Sequence, residues 1–494
     1  MRDYALIFVN GTQHRVRGPR LFQPLSHFVR YDLGLTGTKV VCAEGDCAAC
    51  NIIAFSLTPH GVQIRLLNSC IAFTHLLDTQ SLITIEGLDP QGPIQRAMVE
   101  HFGSQCGFCT PGFVVALTYM FHAVGVDKPI TTQRIKNHLT GNLCRCTGYQ
   151  PIIDAALAVD PHAMPALSQL LPPAWQSQAA AHQAIPLLAQ ATDGNRTQSV
   201  FASPHLADCL AHKKAQPAAR VIGFATDLGV AHNKGKHIVD HHLSLGLVPS
   251  VHELALQKNT LVIGARVALA DLAQFVKDKV PELARFLNIF ASPPIKSVST
   301  LAGNVVNASP IADTVPFLMA LDAELILASA SGQRRVPITQ FYRGYRAVDL
   351  RPDEILTTIR LPLPPAGSFL RSYKISVRRD LDIATVNCAI DLLPTPDRQS
   401  IANIRIAYGG VGPTTLRLSQ VEAALAGQPI NDATVQTAQK AVLAAITPIG
   451  DVRSAVSYRR NVSANLIARF FADFLSANLH FGNDGMQKLS ATSR

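Results

Sequence analysis

Eight of the ten cysteines in this chain lie between Cys42 and Cys146, and they divide into two sets of four. The first is Cys42-x4-Cys47-x2-Cys50, closed by Cys70; the second is Cys106-x2-Cys109, closed by Cys144-x-Cys146. Each set holds the four thiolates that one small iron–sulfur cluster takes, and the first has the spacing of a plant-type [2Fe–2S] site. Zinc is the alternative, because structural zinc sites often use C-x2-C knuckles. The first set suits zinc poorly, since three of its cysteines share one nine-residue loop, Cys42-Ala-Glu-Gly-Asp-Cys-Ala-Ala-Cys50. Small residues between them let backbone N–H groups turn inward onto cluster sulfides. For the second set the spacing leaves both metals open, since Cys144-Arg-Cys146 is unusual for either. Disulfides are disfavoured in a chain with no export signal. Cys209 and Cys388 stand alone and read as small buried hydrophobes.

The length, 494 residues, suggests three or four domains, and 48% apolar with 16% charged residues describes a folded chain. No apolar run reaches the length of a membrane span; the best, Val114 to Val126, is interrupted by His122 and Gly125. The N-terminus lacks the pattern of a signal peptide, so a cytoplasmic protein is expected. A formal charge of +10 invites a nucleic-acid reading. The basic residues are scattered, however, whereas nucleic-acid binders cluster them on one face. Docking to an acidic partner, or binding phosphate-bearing cofactors, explains the charge better.

Met1 to Val9 alternates like a strand, and Asn10-Gly11 signals a tight hairpin. Residues 1 to 88 read as short strands around the first cysteine loop. From Gln91 to Ala158 the apolar spacing is helical. A stretch rich in Pro, Ala and Gln, 161–197, holds the only tryptophan, Trp175, and reads as a linker over the surface. A helix is expected over Leu206 to Gln216, then the strand Arg220-Val-Ile222 and a turn at Gly223 to Asp227. After about Leu370 the pattern fits an α+β domain. The histidines His232, His237, His241 and His242 match no metal-site spacing and read as a surface loop.

The wording around the second cysteine set goes further than its spacing. Gly103-Ser-Gln-Cys-Gly-Phe-Cys-Thr-Pro-Gly112 and Gly141-Asn-Leu-Cys-Arg-Cys-Thr-Gly-Tyr-Gln-Pro151 closely resemble the molybdenum hydroxylase family, its xanthine dehydrogenases in particular. The first loop is similar too, in Leu35-Thr-Gly-Thr-Lys39, Cys42 to Cys47 and Asn68-Ser-Cys-Ile71. Val41 and Ala48 stand where the family usually has glycine, and an added Cβ restricts a tight loop. The resemblance implies two [2Fe–2S] clusters, on Cys42, Cys47, Cys50 and Cys70 and on Cys106, Cys109, Cys144 and Cys146. Gln105 matches a residue that in the family contacts the molybdopterin of the neighbouring catalytic unit.

No G-x-G-x-x-G follows a strand, so a Rossmann site is unsupported. The resemblance implies a different FAD fold. Val221-Ile222-Gly223-Phe224-Ala225-Thr226-Asp227-Leu228 looks like the family's first FAD loop, and Thr300-Leu301-Ala302-Gly303-Asn304 like its second, with Asp313 just beyond. Closely approaching backbone amides in such loops can form an anion-binding nest. Phe224, Ala225 and Ala302 replace smaller residues, and a bulky Phe beside a phosphate is the sharpest departure. Phe290 aligns with an aromatic that packs on the flavin ring, while Leu356 and Lys374 match further flavin contacts. Taken singly, Phe290 and Leu356 read more simply as core packing.

The implied architecture is a multidomain α+β chain. It comprises a ferredoxin-like [2Fe–2S] domain over residues 1–88, a helical-bundle [2Fe–2S] domain over 89–160 and the 161–197 linker. A two-lobed α/β FAD-binding domain of the vanillyl-alcohol-oxidase/CO-dehydrogenase-flavoprotein type follows over 198–368. A C-terminal α+β domain occupies 369–482 and a tail 483–494. The family's molybdopterin-binding portion would follow residue 494, so the chain is expected to be an electron-transfer subunit beside a separate molybdenum subunit, two of each per assembly. By resemblance, the partner hydroxylates hypoxanthine or xanthine. Electrons then pass through both clusters to FAD, and on to NAD+. An aldehyde, N-heterocycle or aromatic thioester substrate is the first alternative, and a zinc-bearing scaffold with a degenerate flavin site the second.

Overall fold

The computed structural model describes residues 1–236 and 239–481. The first five strands, β1 (Ala5–Val9), β2 (Thr12–Val16), β3 (Asn51–Thr58), β4 (Gly61–Asn68) and β5 (Ser81–Ile83), form one sheet in the order β2-β1-β5-β3-β4. The hairpin expected at Asn10-Gly11 joins β1 and β2, both turn residues having positive φ. β1 reads Ala-Leu-Ile-Phe-Val and is buried throughout, because both faces of the sheet are covered. On one face Leu6, Phe8, Ile53, Phe55 and Ile83 pack against a group of helices; on the other Ala5, Ile7, Ile52, Ala54 and Leu82 meet Leu187, Val200, Ile222 and Phe224. The period of two along each strand sends alternate side chains to two different neighbours.

The helices on the first face are Pro93–Glu100, Thr110–Val124, Thr132–His138 and Gln150–Ala158. Proline opens three of them, and the Thr131 side chain caps the third by accepting from Arg134 N. The helix Thr110–Val124 approaches the first cysteine loop so closely that a Cβ on Gly112 would fall 2.3 Å from Ala48 O.

The next segment corrects an expectation. Residues 161–197 do not simply wrap the surface: Trp175 is fully buried in the N-terminal core, and its indole N–H donates to Thr79 O at 3.1 Å. The helix Trp175–Gln183 carries it, and β6 (Leu187–Asp193) then opens the next sheet. That sheet, with β7 (Arg196–Ala202), β8 (Arg220–Ile222) and β9 (His241–Ser244), runs β6-β7-β9-β8, its last three strands parallel. A second, antiparallel sheet has the order β10-β11-β16-β12-β13. Its strands are β10 (Leu254–Gln257), β11 (Thr260–Gly264), β12 (Glu324–Ser329), β13 (Gly332–Pro337) and, after the small β14–β15 ribbon (Tyr342–Gly344, Ala347–Val348), β16 (Ile355–Pro362). Finally β17 (Phe369–Ile375), β18 (Val386–Pro394), β19 (Ile401–Gly409) and β20 (Leu416–Arg417) form an antiparallel sheet backed by the helices Asp432–Ala445 and Val456–Phe481.

The histidine stretch is a second correction. His242 is 1% exposed on β9, with its Nδ1 2.7 Å from Nε2 of buried His75, so it sits in an interface between sheets. A central parallel strand imposes this burial whatever its residue types. His237 and the tail 483–494 lie outside the described residues. Among the described residues no helix is long and apolar enough to cross a membrane.

Candidate redox site

The first cysteine set occupies the irregular loop before β3 and the turn after β4. Cys47, Cys50 and Cys70 are buried and Cys42 is half-buried. Ala43, Gly45 and Ala48 all take positive φ, so Ala48 adopts the left-handed backbone that glycine accepts more easily, while Val41 is 62% exposed and crowds nothing. Cys42 lies within hydrogen-bonding reach of Cys47 and Cys70, and Cys50 of Cys70. The Glu44 N–H donates to Cys42 Sγ at 3.4 Å. These contacts hold the Cys42 thiol low, while Cys42 and burial push Cys47 up.

The second set lies at the surface, where Cys106 and Cys146 are exposed and Cys109 and Cys144 half-buried. Cys106 pairs with Cys146 and Cys109 with Cys144. Burial, then Cys144, pushes Cys109 up to about 12. Thr147 donates to Cys144 Sγ from its N–H (3.4 Å) and hydroxyl (3.1 Å). Among the described residues no three Cys, His, Asp or Glu side chains gather as one metal ion requires. A single zinc needs four ligands about one centre, whereas the two irons of a [2Fe–2S] cluster share four thiolates two and two. The outer four thus stand two and two, as such a cluster takes them, while the inner four stand in a chain of contacts from Cys47 to Cys42 to Cys70 to Cys50. The two loops also touch, through Leu143 N–H to Cys47 O at 3.2 Å.

Beside the first set lies a groove with two connected parts, of about 260 Å³ and 970 Å³. Thr226, Asp227, Phe290, Ile295, Asn304 and Asn307 line both. Val221, Gly223 to Leu228, Thr300, Gly303, Asn304 and Phe290 wall the smaller part, and Asp313 and Lys374 the larger. Thr300 caps the helix Leu301–Asn307, its Oγ1 accepting from Gly303 N at 3.0 Å. Lys374 Nζ, nearly buried, donates to Asp313 Oδ2 at 2.7 Å and stands 5.9 Å from the Phe290 ring centre. Burial pushes the Asp313 carboxyl up against the downward pull of Lys374.

Four expected residues miss the cavity walls: Ile222, Leu301, Ala302 and Leu356 are buried in hydrophobic cores. Leu356 faces the sheet interior on β16, the position its apolar character favours. Gln105 is exposed beside Cys106, away from the groove. Phe224 resolves the steric conflict by turning its ring into the core between sheets, and Ala225 takes φ +59°. The loop backbone thus stays free at the cavity wall.

Some contributors were not legible beforehand. Helix Leu228–Asn233 meets the first cysteine turn so closely that a Cβ on Gly229 would fall 2.0 Å from Ile71 O. Asn233 donates to Ala43 O and Cys70 O, each at 2.8 Å, and Lys234 pairs with Glu44 at 2.8 Å. Glu44 and Asp46 in turn line the larger part of the groove. The second cysteine loop therefore touches the first, and the first borders the groove.

Comparisons with known proteins agree with this arrangement. Residues 84–157 match a [2Fe-2S] binding domain, residues 196–364 the FAD binding domain in molybdopterin dehydrogenase, and residues 371–474 the CO dehydrogenase flavoprotein C-terminal domain. Together the three domains make this an iron–sulfur and flavin chain for electron transfer, of the kind molybdenum hydroxylases carry. Over 96% of its length the chain is 28% identical to a xanthine dehydrogenase of Emericella nidulans, and over 94% it is 28% identical to one of Oryza sativa subsp. japonica. It spans 39% of the length of each. Among solved structures, a carbon monoxide dehydrogenase chain from Hydrogenophaga pseudoflava aligns at 25% identity and a TM-score of 0.53, covering 56% of this chain and 96% of that one. A chain of quinoline 2-oxidoreductase from Pseudomonas putida 86 shares the fold at 23% identity and a TM-score of 0.51, covering 55% and 94%.

Proposed function

We propose that this chain carries electrons from a molybdenum centre on a partner subunit to NAD+, during hydroxylation of hypoxanthine or xanthine to urate. Cys106, Cys109, Cys144 and Cys146 would hold the outer [2Fe–2S] cluster, and Cys42, Cys47, Cys50 and Cys70 the inner one. Val221 to Leu228, Phe290, Thr300 to Asn304, Asp313, Leu356 and Lys374 would form the FAD site. In it Ile222, Leu301, Ala302 and Leu356 act as the packed backing of the loops. Bound there, the flavin links one-electron delivery to a two-electron acceptor.

The observation that carries the reading is the series itself: surface thiols, then buried thiols, then the groove. The protein's part is to fix that order. Leu143 N–H on Cys47 O couples the two cysteine loops, while Gly229 and Asn233 seat the inner loop on the flavin lobe. The exposed side chains of Phe102, Phe108 and Leu143 beside the outer thiols support a partner docking there, with Gln105 reaching its molybdopterin. The assembly would hold two small and two large subunits in the cytoplasm.

The deciding experiment is to isolate the chain with its natural partner and measure xanthine-dependent NAD+ reduction. Turnover with xanthine supports the reading. Molybdenum-containing complex that turns over only an aldehyde, an N-heterocycle or an aromatic thioester would shift it to the second reading, which the likeness to carbon monoxide dehydrogenase and quinoline oxidoreductase chains favours. Complex without molybdenum would remove the hydroxylase role and leave electron transfer standing.

A further inference from the structure

Between the first sheet and the flavin lobe lies a second cavity, of about 370 Å³, which neither the cysteines nor the groove uses. Ala54, Ser56, Arg65 and Leu67 wall it from β3 and β4, and Phe224, Ser244, Arg266 and Ser297 from the lobe. The exposed residues Pro59, Gly246 and Pro249 form its rim. Its size is that of a small-molecule site. The charges that line it do not balance. Asp78 is held by Arg2 at 2.7 Å and by the Leu6 N–H at 2.8 Å. Arg65 is held by Asp271 at 2.6 Å and donates to Ser297 O at 2.7 Å. His75 and His252 are neutral, because burial lowers both, His252 to about 4. Arg266 is left over. Its Nε and Nη1 are buried with no hydrogen-bond partner, and its guanidinium lies 5.7 Å from the Phe224 ring centre. No acid among the described residues supports its charge, while burial and Arg65 both oppose it. A buried charge without a partner is costly, and such charges are otherwise found paired. What remains accessible of Arg266 borders the cavity.

We propose that this cavity binds a small organic acid, whose carboxylate meets the Arg266 guanidinium and whose apolar body lies against the leucine-rich wall between the first sheet and the flavin lobe. The proposal does not depend on the cofactor reading above. The lining carries one unmatched positive charge, and a carboxylate brings one negative charge in the planar form a guanidinium recognises. A phosphate ester brings about −1.5 to −2 and would leave part of its charge unmatched. Away from Arg266 the walls include Leu67, Leu76, Leu187, Val200 and Leu247, which a bare inorganic ion would leave facing water. An acid with an apolar body answers both the charge and the walls.

The test uses the full chain and three probes: benzoate, benzamide, which keeps the body without the charge, and inorganic phosphate, which keeps a charge without the body. Titration calorimetry and thermal melts follow wild type, Arg266→Gln, Arg266→Lys and Ser56→Phe, the last filling the cavity from β3 with the guanidinium kept. Benzoate should saturate wild type and raise its melting temperature, as a ligand bound by the folded state alone does. Benzamide and phosphate should bind at least about tenfold more weakly, and Arg266→Gln should weaken benzoate by about tenfold or more, as loss of a charged hydrogen bond does. Arg266→Lys should keep part of the affinity, and Ser56→Phe should lose it. Without ligand the Gln variant should melt no lower than wild type, because it lacks the buried unpaired charge. Equal benzoate affinity in wild type and Gln variant would overturn the proposal, as would benzamide binding as tightly as benzoate. Phosphate binding as tightly as benzoate, and lost in the Gln variant, would overturn it in favour of an inorganic anion. No binding of any probe would overturn it in favour of water alone. If the Gln variant fails to fold, benzoate binding retained in Ser56→Phe overturns the proposal, and binding lost there with an unchanged melting temperature supports it.

Discussion

Among single residues, Lys374 and Asp313 make the most exposed commitment to a bound cofactor. They form a buried pair at the cavity wall, and Asn387 Nδ2 also donates to Asp313 Oδ1 at 3.1 Å. Removing one member of such a pair leaves the other charge uncompensated, at a cost of about 3–5 kcal/mol. Lys374→Met should therefore lower the melting temperature of the flavin-bearing part by several degrees, and flavin content measured by absorbance should fall with it. Unchanged stability and content would show the pair to be dispensable. Motif wording located Lys374, Asp313 and Phe290 because those positions face the cavity. The same wording placed Leu356 among the contacts, where its burial on β16 is decided by the sheet interior. Phe224 was misjudged in the other direction: side-chain bulk is read from sequence, but the direction a ring takes is set by the fold.

Elements were most legible where a local rule governs them. The Asn10-Gly11 hairpin, the strand Arg220–Ile222 and the helix Leu206–Ala215 all follow from turn chemistry and periodicity. The segment 161–197 was not legible, because its Pro and Ala content signals a linker while its ends are recruited by neighbouring cores. Trp175 was the available clue, since a lone large aromatic buries more area than any surface strap provides. Trp175→Ala should cost about 3–5 kcal/mol, visible as an early loss of the N-terminal part in thermal melts followed by near-ultraviolet circular dichroism. The helix Leu228–Asn233 was legible only as a loop end, since what fixes it is contact with a distant turn. Gly229→Ala should push it off Ile71. The expected result is a clear drop in melting temperature and slower reoxidation of the inner cluster by flavin, followed by stopped-flow absorbance. Unaltered kinetics would mean the contact does not position the loop.

For the whole molecule, the N-terminal sheet is the pivot, covered by helices on one face and by the flavin lobe on the other. Sequence gave its strands and cysteines but not this sandwich, which depends on which neighbour each alternate side chain meets. The His75–His242 pair lies in the second interface. His242 Nε2 is 2.9 Å from Val239 O, so the hydrogen-bond network assigns the donor there and leaves Nδ1 to accept from His75. A second proton would set donor against donor. Burial holds His242 at about 4 against an unfolded value near 6.5, and His75 is lowered too. Because both folded values are depressed, the unfolded chain binds more protons between those limits. Stability is full above about pH 6.5 and is lost as pH falls toward 4. For His242 alone the loss from pH 7 to pH 5 is about 2 kcal/mol. Calorimetry should find a lower melting temperature at pH 5, and His242→Gln should flatten that dependence.

The most direct measurement at this scale is metal analysis with electron paramagnetic resonance of the dithionite-reduced full chain. About four irons per chain, no stoichiometric zinc and two distinct [2Fe–2S] signals are expected, and Cys146→Ser should remove one signal only. Stoichiometric zinc, a single signal, or loss of both signals in that variant would contradict the two-cluster series from surface to flavin.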